Sequence, residues 1–95
     1  MWARVASFES TDVKAMRDTV RRPPDEIPEG FRGFLNLMDE ASGRQLFVTL
    51  FDNREAMEAS EPFFEKMGDE IPEAQRGRRV SKEYWEVGAG ILWAN

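Results

Sequence analysis

Leu46-Phe47-Val48-Thr49-Leu50-Phe51 reads as a strand with apolar residues on both of its faces. Successive strand side chains point to opposite sides, so Leu46, Val48 and Leu50 need one cover while Phe47 and Phe51 need another. A chain of 95 residues is too short to cover both faces of a sheet alone, so a second copy of the chain is expected to supply one cover. Upstream, Phe31 to Asp39 and Arg44 to Asp52 flank Glu40-Ala41-Ser42-Gly43, a short connection ending in glycine that predicts a β-hairpin. Pairing Asp39 with Arg44 sets Phe34 opposite Thr49, Asn36 opposite Phe47, Leu35 opposite Val48 and Leu37 opposite Leu46. One face is then aliphatic: Leu35, Leu37, Leu46, Val48 and Leu50. The other mixes Phe34, Met38, Phe47 and Phe51 with Arg32, Asn36, Gln45 and Thr49. A one-residue slip would scramble both sets, so their consistency supports the register.

The flanking segments complete one domain, residues 1–95, with a core over 1–87 and a tail from 88 to 95. Trp2 to Glu9 predicts a first strand. Ser10 and Thr11 offer an N-cap to a helix carrying Val13, Met16 and Val20 on one face. Arg17, Arg21 and Arg22 suit the C-terminal end of its dipole, and Pro23-Pro24 stops it before the acidic loop Asp25 to Gly30. Asp52 or Asn53 caps a second helix whose inward stripe is Met57, Ser60, Phe64, Met67 and Ile71. Pro62 should kink or split it, with Ser60 able to cap the second piece. Pro72 ends it, and Gly77 to Val87 forms the last strand, in which Tyr84 and Trp85 point to opposite faces. The order βαββαβ predicts an α+β fold with a ferredoxin-like, four-stranded antiparallel sheet and two helices on one face. The other face is left bare. Burying one large aliphatic side chain fully is worth roughly 1.5 to 3 kcal/mol, which favours a face-to-face homodimer, with Ile91 to Trp93 crossing onto the partner.

Composition narrows the chemistry. The chain has 41% hydrophobic and 12% aromatic residues, enough for a core, and neither cysteine nor histidine. Disulfides, thiolate metal sites, cysteine nucleophiles and the commonest general base are therefore excluded, and no cofactor is expected. No defined haem or transition-metal site is expected either. The N-terminus lacks the pattern of a signal peptide, and no run approaches the roughly 20 apolar residues that span a bilayer, so a soluble, cytoplasmic protein with no membrane partner is expected. A net charge of −5 disfavours nucleic acid as a partner. Arg76, Arg78, Arg79 and Lys82 read as a solvated edge among carboxylates.

Phe31-Arg32-Gly33-Phe34, the Asp39-Glu40-Ala41-Ser42-Gly43 hairpin and Val48-Thr49-Leu50-Phe51-Asp52-Asn53-Arg54-Glu55-Ala56 resemble the antibiotic biosynthesis monooxygenase family of dimeric α+β barrels. With the flanking elements the resemblance covers residues 1 to about 87. It implies a small cavity between sheet and helices, in a family that includes cofactor-independent oxygenases of aromatic polyketides, quinol oxygenases and haem-degrading enzymes. The chain departs from that pattern at two places. Phe51 stands where active members often have a tryptophan, and Ala59-Ser60-Glu61-Pro62-Phe63-Phe64 lacks the histidine often found in the second helix, which ligates haem in one branch. The resemblance puts Phe51, Phe47, Thr49, Asn36 and Arg32 on the cavity face, whereas an apolar count alone would turn the aliphatic face to the helices.

Cofactor-free oxygenation needs a dry pocket, a base and donors for the developing oxyanion. Phe34, Phe47, Phe51, Phe64 and Trp85 are candidates for the walls, with Thr49 and Ser60 as further substrate contacts. Arg32 and Asn36 are candidate anion stabilisers, and Glu83 is the candidate base, its pKa open to elevation by desolvation. Each also has a plain structural reading: Arg32 as a surface cation, Glu83 as a solvated edge carboxylate, the aromatic set as core, and Ser60 bonding back to its own helix. Two functions of different class fit. One is monooxygenation of a small aromatic or quinol-like metabolite; the other is a non-catalytic homodimeric domain that binds a small apolar ligand or only assembles.

Overall fold

A computed structural model describes residues 1–20 and 27–90. In order they form β1 (Trp2–Glu9), α1 (Val13–Val20), β2 (Phe31–Asp39), β3 (Arg44–Phe51), α2 (Arg54–Ala59), α3 (Glu61–Glu70), α4 (Glu73–Arg76) and β4 (Arg78–Glu86). The fold is α+β, with one four-stranded sheet in the order β2-β3-β1-β4 and every neighbouring pair antiparallel. The predicted helix end Arg21-Arg22-Pro23-Pro24, the acidic Asp25-Glu26 and the tail Ile91 to Trp93 lie outside the described residues.

The hairpin register is the one that the sequence pattern dictates, with Asp39 opposite Arg44, Leu37 opposite Leu46, Leu35 opposite Val48 and Phe34 opposite Thr49. Its turn closes through Gly43 N–H donating to Asp39 O at 2.9 Å, with Gly43 at φ +70°, a left-handed conformation that glycine adopts without a Cβ penalty. The regular alternation fails at one point. Phe31 pairs with Phe51 and Gly33 with Leu50, leaving Arg32 as the extra residue of a β-bulge. Phe31 therefore takes the inward place expected for Arg32, and its ring meets Phe51 edge-on at 6.3 Å.

The helices cover the face that carries Phe51, Thr49, Phe47 and Gln45, with Phe51, Thr49 and Gln45 almost fully buried. On the opposite face Leu35, Leu37 and Trp85 remain 52%, 50% and 57% exposed. The aliphatic set is thus turned away from the helices. Val13 and Met16 of α1 are buried. The cap of this helix is Asp12 rather than Ser10 or Thr11: Asp12 Oδ1 accepts Ala15 N–H at 3.1 Å. Thr11 instead donates its hydroxyl to Arg76 O at 3.1 Å.

The second helical segment breaks where proline requires. Asn53 caps α2 by accepting Ala56 N–H at 2.8 Å, and Pro62 lies in the first turn of α3, where its missing donor costs least. Ser60 sits at the junction but does not cap α3 with its side chain; its hydroxyl donates to Met57 O at 2.6 Å. A short α4 after Pro72, unforeseen in the sequence, leads into β4 through Gly77. That residue has φ +74°, and a Cβ on it would lie 2.1 Å from Glu9 O. Only glycine lets the two backbones approach so closely. No helix of the described residues is long and apolar enough to cross a membrane.

Candidate functional site

The registers lay out the helix-covered face in rows across the sheet. Phe34, Thr49, Arg4 and Tyr84 form one row, and Asn36, Phe47, Ala6 and Lys82 the next. Above the second row, and the Met38-Gln45-Phe8 row beyond it, a cleft of about 470 Å³ opens between the sheet and the segment from α3 to α4. Phe8, Phe34 and Phe47 line it from the sheet, Phe64, Met67 and Ile71 from the helical side. Phe47 is at the centre of the aromatic wall, edge-on to Phe8 at 5.5 Å and stacked with Phe34 at 6.0 Å.

One end of this wall is fixed by a buried ionic network. Arg4 projects inward from β1 and donates through Nε to Glu61 Oε1 at 2.7 Å, while its guanidinium carbon lies 4.0 Å from the centre of the Phe64 ring. Tyr84 donates to the same carboxylate at 2.7 Å and Lys82 at 3.1 Å. Burial pushes the Glu61 pKa up, but hydrogen bonds from Arg4, Tyr84 and Lys82 and the charge of Arg4 prevail and hold it at about 2. Tyr84 is shifted up, first by burial and then by its bond to the Glu61 anion. The network ties the first turn of α3 to β1 and β4. None of its members was among the candidate site residues of the sequence, where Lys82 was read as an edge cation and Tyr84 only as a strand aromatic opposite in facing to Trp85. The available signal was parity: Trp2, Arg4, Ala6 and Phe8 share a face, and a cation on an inward face needs a counter-charge.

The sequence-derived candidates separate into five places. Phe34, Phe47 and Phe64 come together in the cleft. Phe51 and Thr49 lie in the core beside it, Phe51 edge-on to Phe64 at 6.3 Å. Asn36 is next to them, its Nδ2 donating to Gln45 Oε1 at 3.0 Å and Leu46 O at 3.3 Å. Ser60 is buried below a separate groove of about 680 Å³ between Ile27–Gly30 and α2. There is thus room at the Ser60–Pro62 junction, where a kink was expected to create it, but that groove faces the 27–30 loop and lacks the sheet's aromatic set, whereas the aromatic-walled cleft lies further along α3.

Arg32, Glu83 and Trp85 are elsewhere. The bulge turns Arg32 to the sheet edge, where it pairs with Asp52, whose hydrogen bond and charge raise its pKa. Glu83 and Trp85 are on the open face: Val5 faces Glu83, Ala3 faces Trp85, and Trp85 Nε1 donates to Glu83 at 2.9 Å. Tyr84, not Trp85, is the β4 aromatic on the helix side. The expected trio Arg32, Asn36 and Glu83 is therefore not assembled. Three buried polar atoms on the helix-covered side, Asn36 Oδ1, Gln45 Nε2 and Thr49 Oγ1, have no protein partner among the described residues. No protein-family model matches the chain, and no curated protein matches it either.

Proposed function

We propose that this domain binds a small aromatic molecule in the cleft between the sheet and α3. The observation that carries the reading is the wall of Phe8, Phe34, Phe47 and Phe64 around about 470 Å³, a volume in the usual range for small-ligand sites. The sheet order, read from the β4 edge as 4-1-3-2 with all pairs antiparallel and the helices over one face, supports a ferredoxin-like assignment. It also fits the resemblance to the antibiotic biosynthesis monooxygenases, in which a ligand cavity lies between sheet and helices. In this reading the open face, with Leu35, Leu37 and Trp85 at least half exposed, packs on the same face of a second copy.

Binding is favoured over oxygenation, because Glu83 faces away from the cleft and Arg32 is engaged by Asp52. Cofactor-independent monooxygenation is the second reading, and the carboxylates Glu65, Asp69 and Glu73 on the cleft lining keep a base within its reach. Calorimetric titration with 2-naphthol tests the site. Saturable binding is expected, weakened about fivefold or more by Phe34→Ala, whose ring is partly exposed and stacks on Phe47 in the cleft wall. Absence of binding refutes the proposal. Oxygen uptake with an anthrone or quinol would favour the second reading.

A further inference from the structure

Four arginines, Arg4, Arg76, Arg78 and Arg79, line the cleft of a chain whose net charge is −5. Arg4 is neutralised by Glu61, and Arg78 by Glu9 at 3.1 Å. Arg76 and Arg79 have no ion pair among the described residues, although Glu65, Asp69 and Glu73 border the same opening. Arg79 is exposed, but Arg76 is half-buried and held in place. Its Nη1 donates to Gly68 O at 2.9 Å, and its own carbonyl accepts the Thr11 hydroxyl. The backbone after it is fixed by the close passage of Gly77 over Glu9. Gly68 makes room for the guanidinium, since a Cβ there would come within 3.3 Å of Arg76 Nη1.

A guanidinium has five N–H donors, and the bond to Gly68 uses one. The rest form a planar, pre-positioned fork suited to a carboxylate, at the end of a cleft walled by aromatic rings. We propose that the cleft selects an aromatic carboxylate, with its ring system against Phe8, Phe47 and Phe64, its carboxylate on Arg76, and Arg79 adding charge from the rim. This rests on the cleft being the ligand site, and it names the ligand's class.

The test is parallel titration of the intact chain with 2-naphthoate and 2-naphthol near neutral pH, where the first is an anion and the second is neutral. 2-Naphthoate should bind about tenfold tighter or more, as expected for charge-assisted hydrogen bonds, and added salt should narrow the advantage. Arg76→Gln should abolish the advantage, and Arg79→Gln should reduce it. If Arg76→Gln does not fold, Arg79→Gln and the salt dependence decide. Equal affinity for the two compounds, or an advantage indifferent to salt and to Arg79→Gln, overturns the inference and leaves the cleft as the ligand site. Failure of both compounds to bind overturns the site reading, and the inference with it.

Discussion

Replacing Glu61 with glutamine keeps the side-chain volume and an amide oxygen but removes the charge that neutralises Arg4. The Arg4 side chain is 6% exposed and that of Glu61 18%, so the substitution leaves a cation buried without its counter-ion. Loss of one partner from a buried pair costs roughly 3 to 5 kcal/mol. Linkage gives an independent figure. The Glu61 carboxyl moves from the ordinary 4.5 to about 2 on folding, which corresponds to a ceiling of about 3 kcal/mol. The Lys82 side of the network is 31% exposed, and solvent screening there brings the expected loss to about 2 kcal/mol. For a domain of this size that lowers Tm by about 8 to 16 °C.

The pH dependence separates an ionic role from a packing role. A carboxyl whose pKa is lowered by folding stabilises the folded state above its unfolded pKa. That stabilisation is lost as the pH falls from about 5 toward about 2. Urea denaturation of wild type and Glu61→Gln at neutral pH and near pH 3 should show the stability gap shrink by about half, since the variant has no carboxyl at this position to protonate. A gap of constant size across that range would refute the reasoning, because it would mean that Glu61 acts through shape and not through charge.

Tyr84 is the chain's single tyrosine, so ultraviolet titration reads it directly: its midpoint should lie above the ordinary 10 and fall in Glu61→Gln, and an unchanged midpoint would dissolve the network. Gly77→Ala forces a Cβ against Glu9 O at positive φ and should cost about 3 kcal/mol or more in thermal or urea unfolding; a neutral result would contradict the close passage. Leu37→Glu, on a side chain half exposed in the single chain, should leave the fold intact by circular dichroism but convert a wild-type dimer to monomer in sedimentation equilibrium. A wild-type monomer at micromolar concentration would end the proposal that the open face pairs with a second copy.

The fold was legible where the information is local. The limits of the first strand, the hairpin register and the break at Pro62 all follow from alternation, turn chemistry and the missing proline donor. The site was less legible because it depends on which side of the sheet each residue reaches. For Arg32 the alternation rule gave the wrong side, since the bulge beside Gly33 inverts parity at that point; a glycine inside a strand was the available warning. For β4 both parities carry similar polarity, with Lys82 and Tyr84 on one and Glu83 and Trp85 on the other. Its orientation is decided by pairing with β1, which lies far away in sequence. The Arg4–Glu61 pair spans the chain in the same way.

Counting apolar residues would have put Leu35, Leu37, Leu46, Val48 and Leu50 under the helices, yet the helices cover the face that carries Arg4, Gln45, Thr49 and Asn36. This arrangement costs stability twice in an isolated chain. Half-exposed Leu35 and Leu37 forgo part of the roughly 1.5 to 3 kcal/mol available to each on full burial. Each of the three unpartnered polar atoms under the helices costs about 1 to 3 kcal/mol unless water or a ligand reaches it. Sequences tend to breach the rules of burial where function requires it. Both breaches here have a physical remedy from outside the chain: an apolar surface laid on the open face, and water reaching the three polar atoms, whose residues do not line the cleft. The exposed apolar residues of one face and the aromatic cleft on the other are the reason for proposing assembly and ligand binding as two independent properties, each testable in a variant that leaves the other untouched.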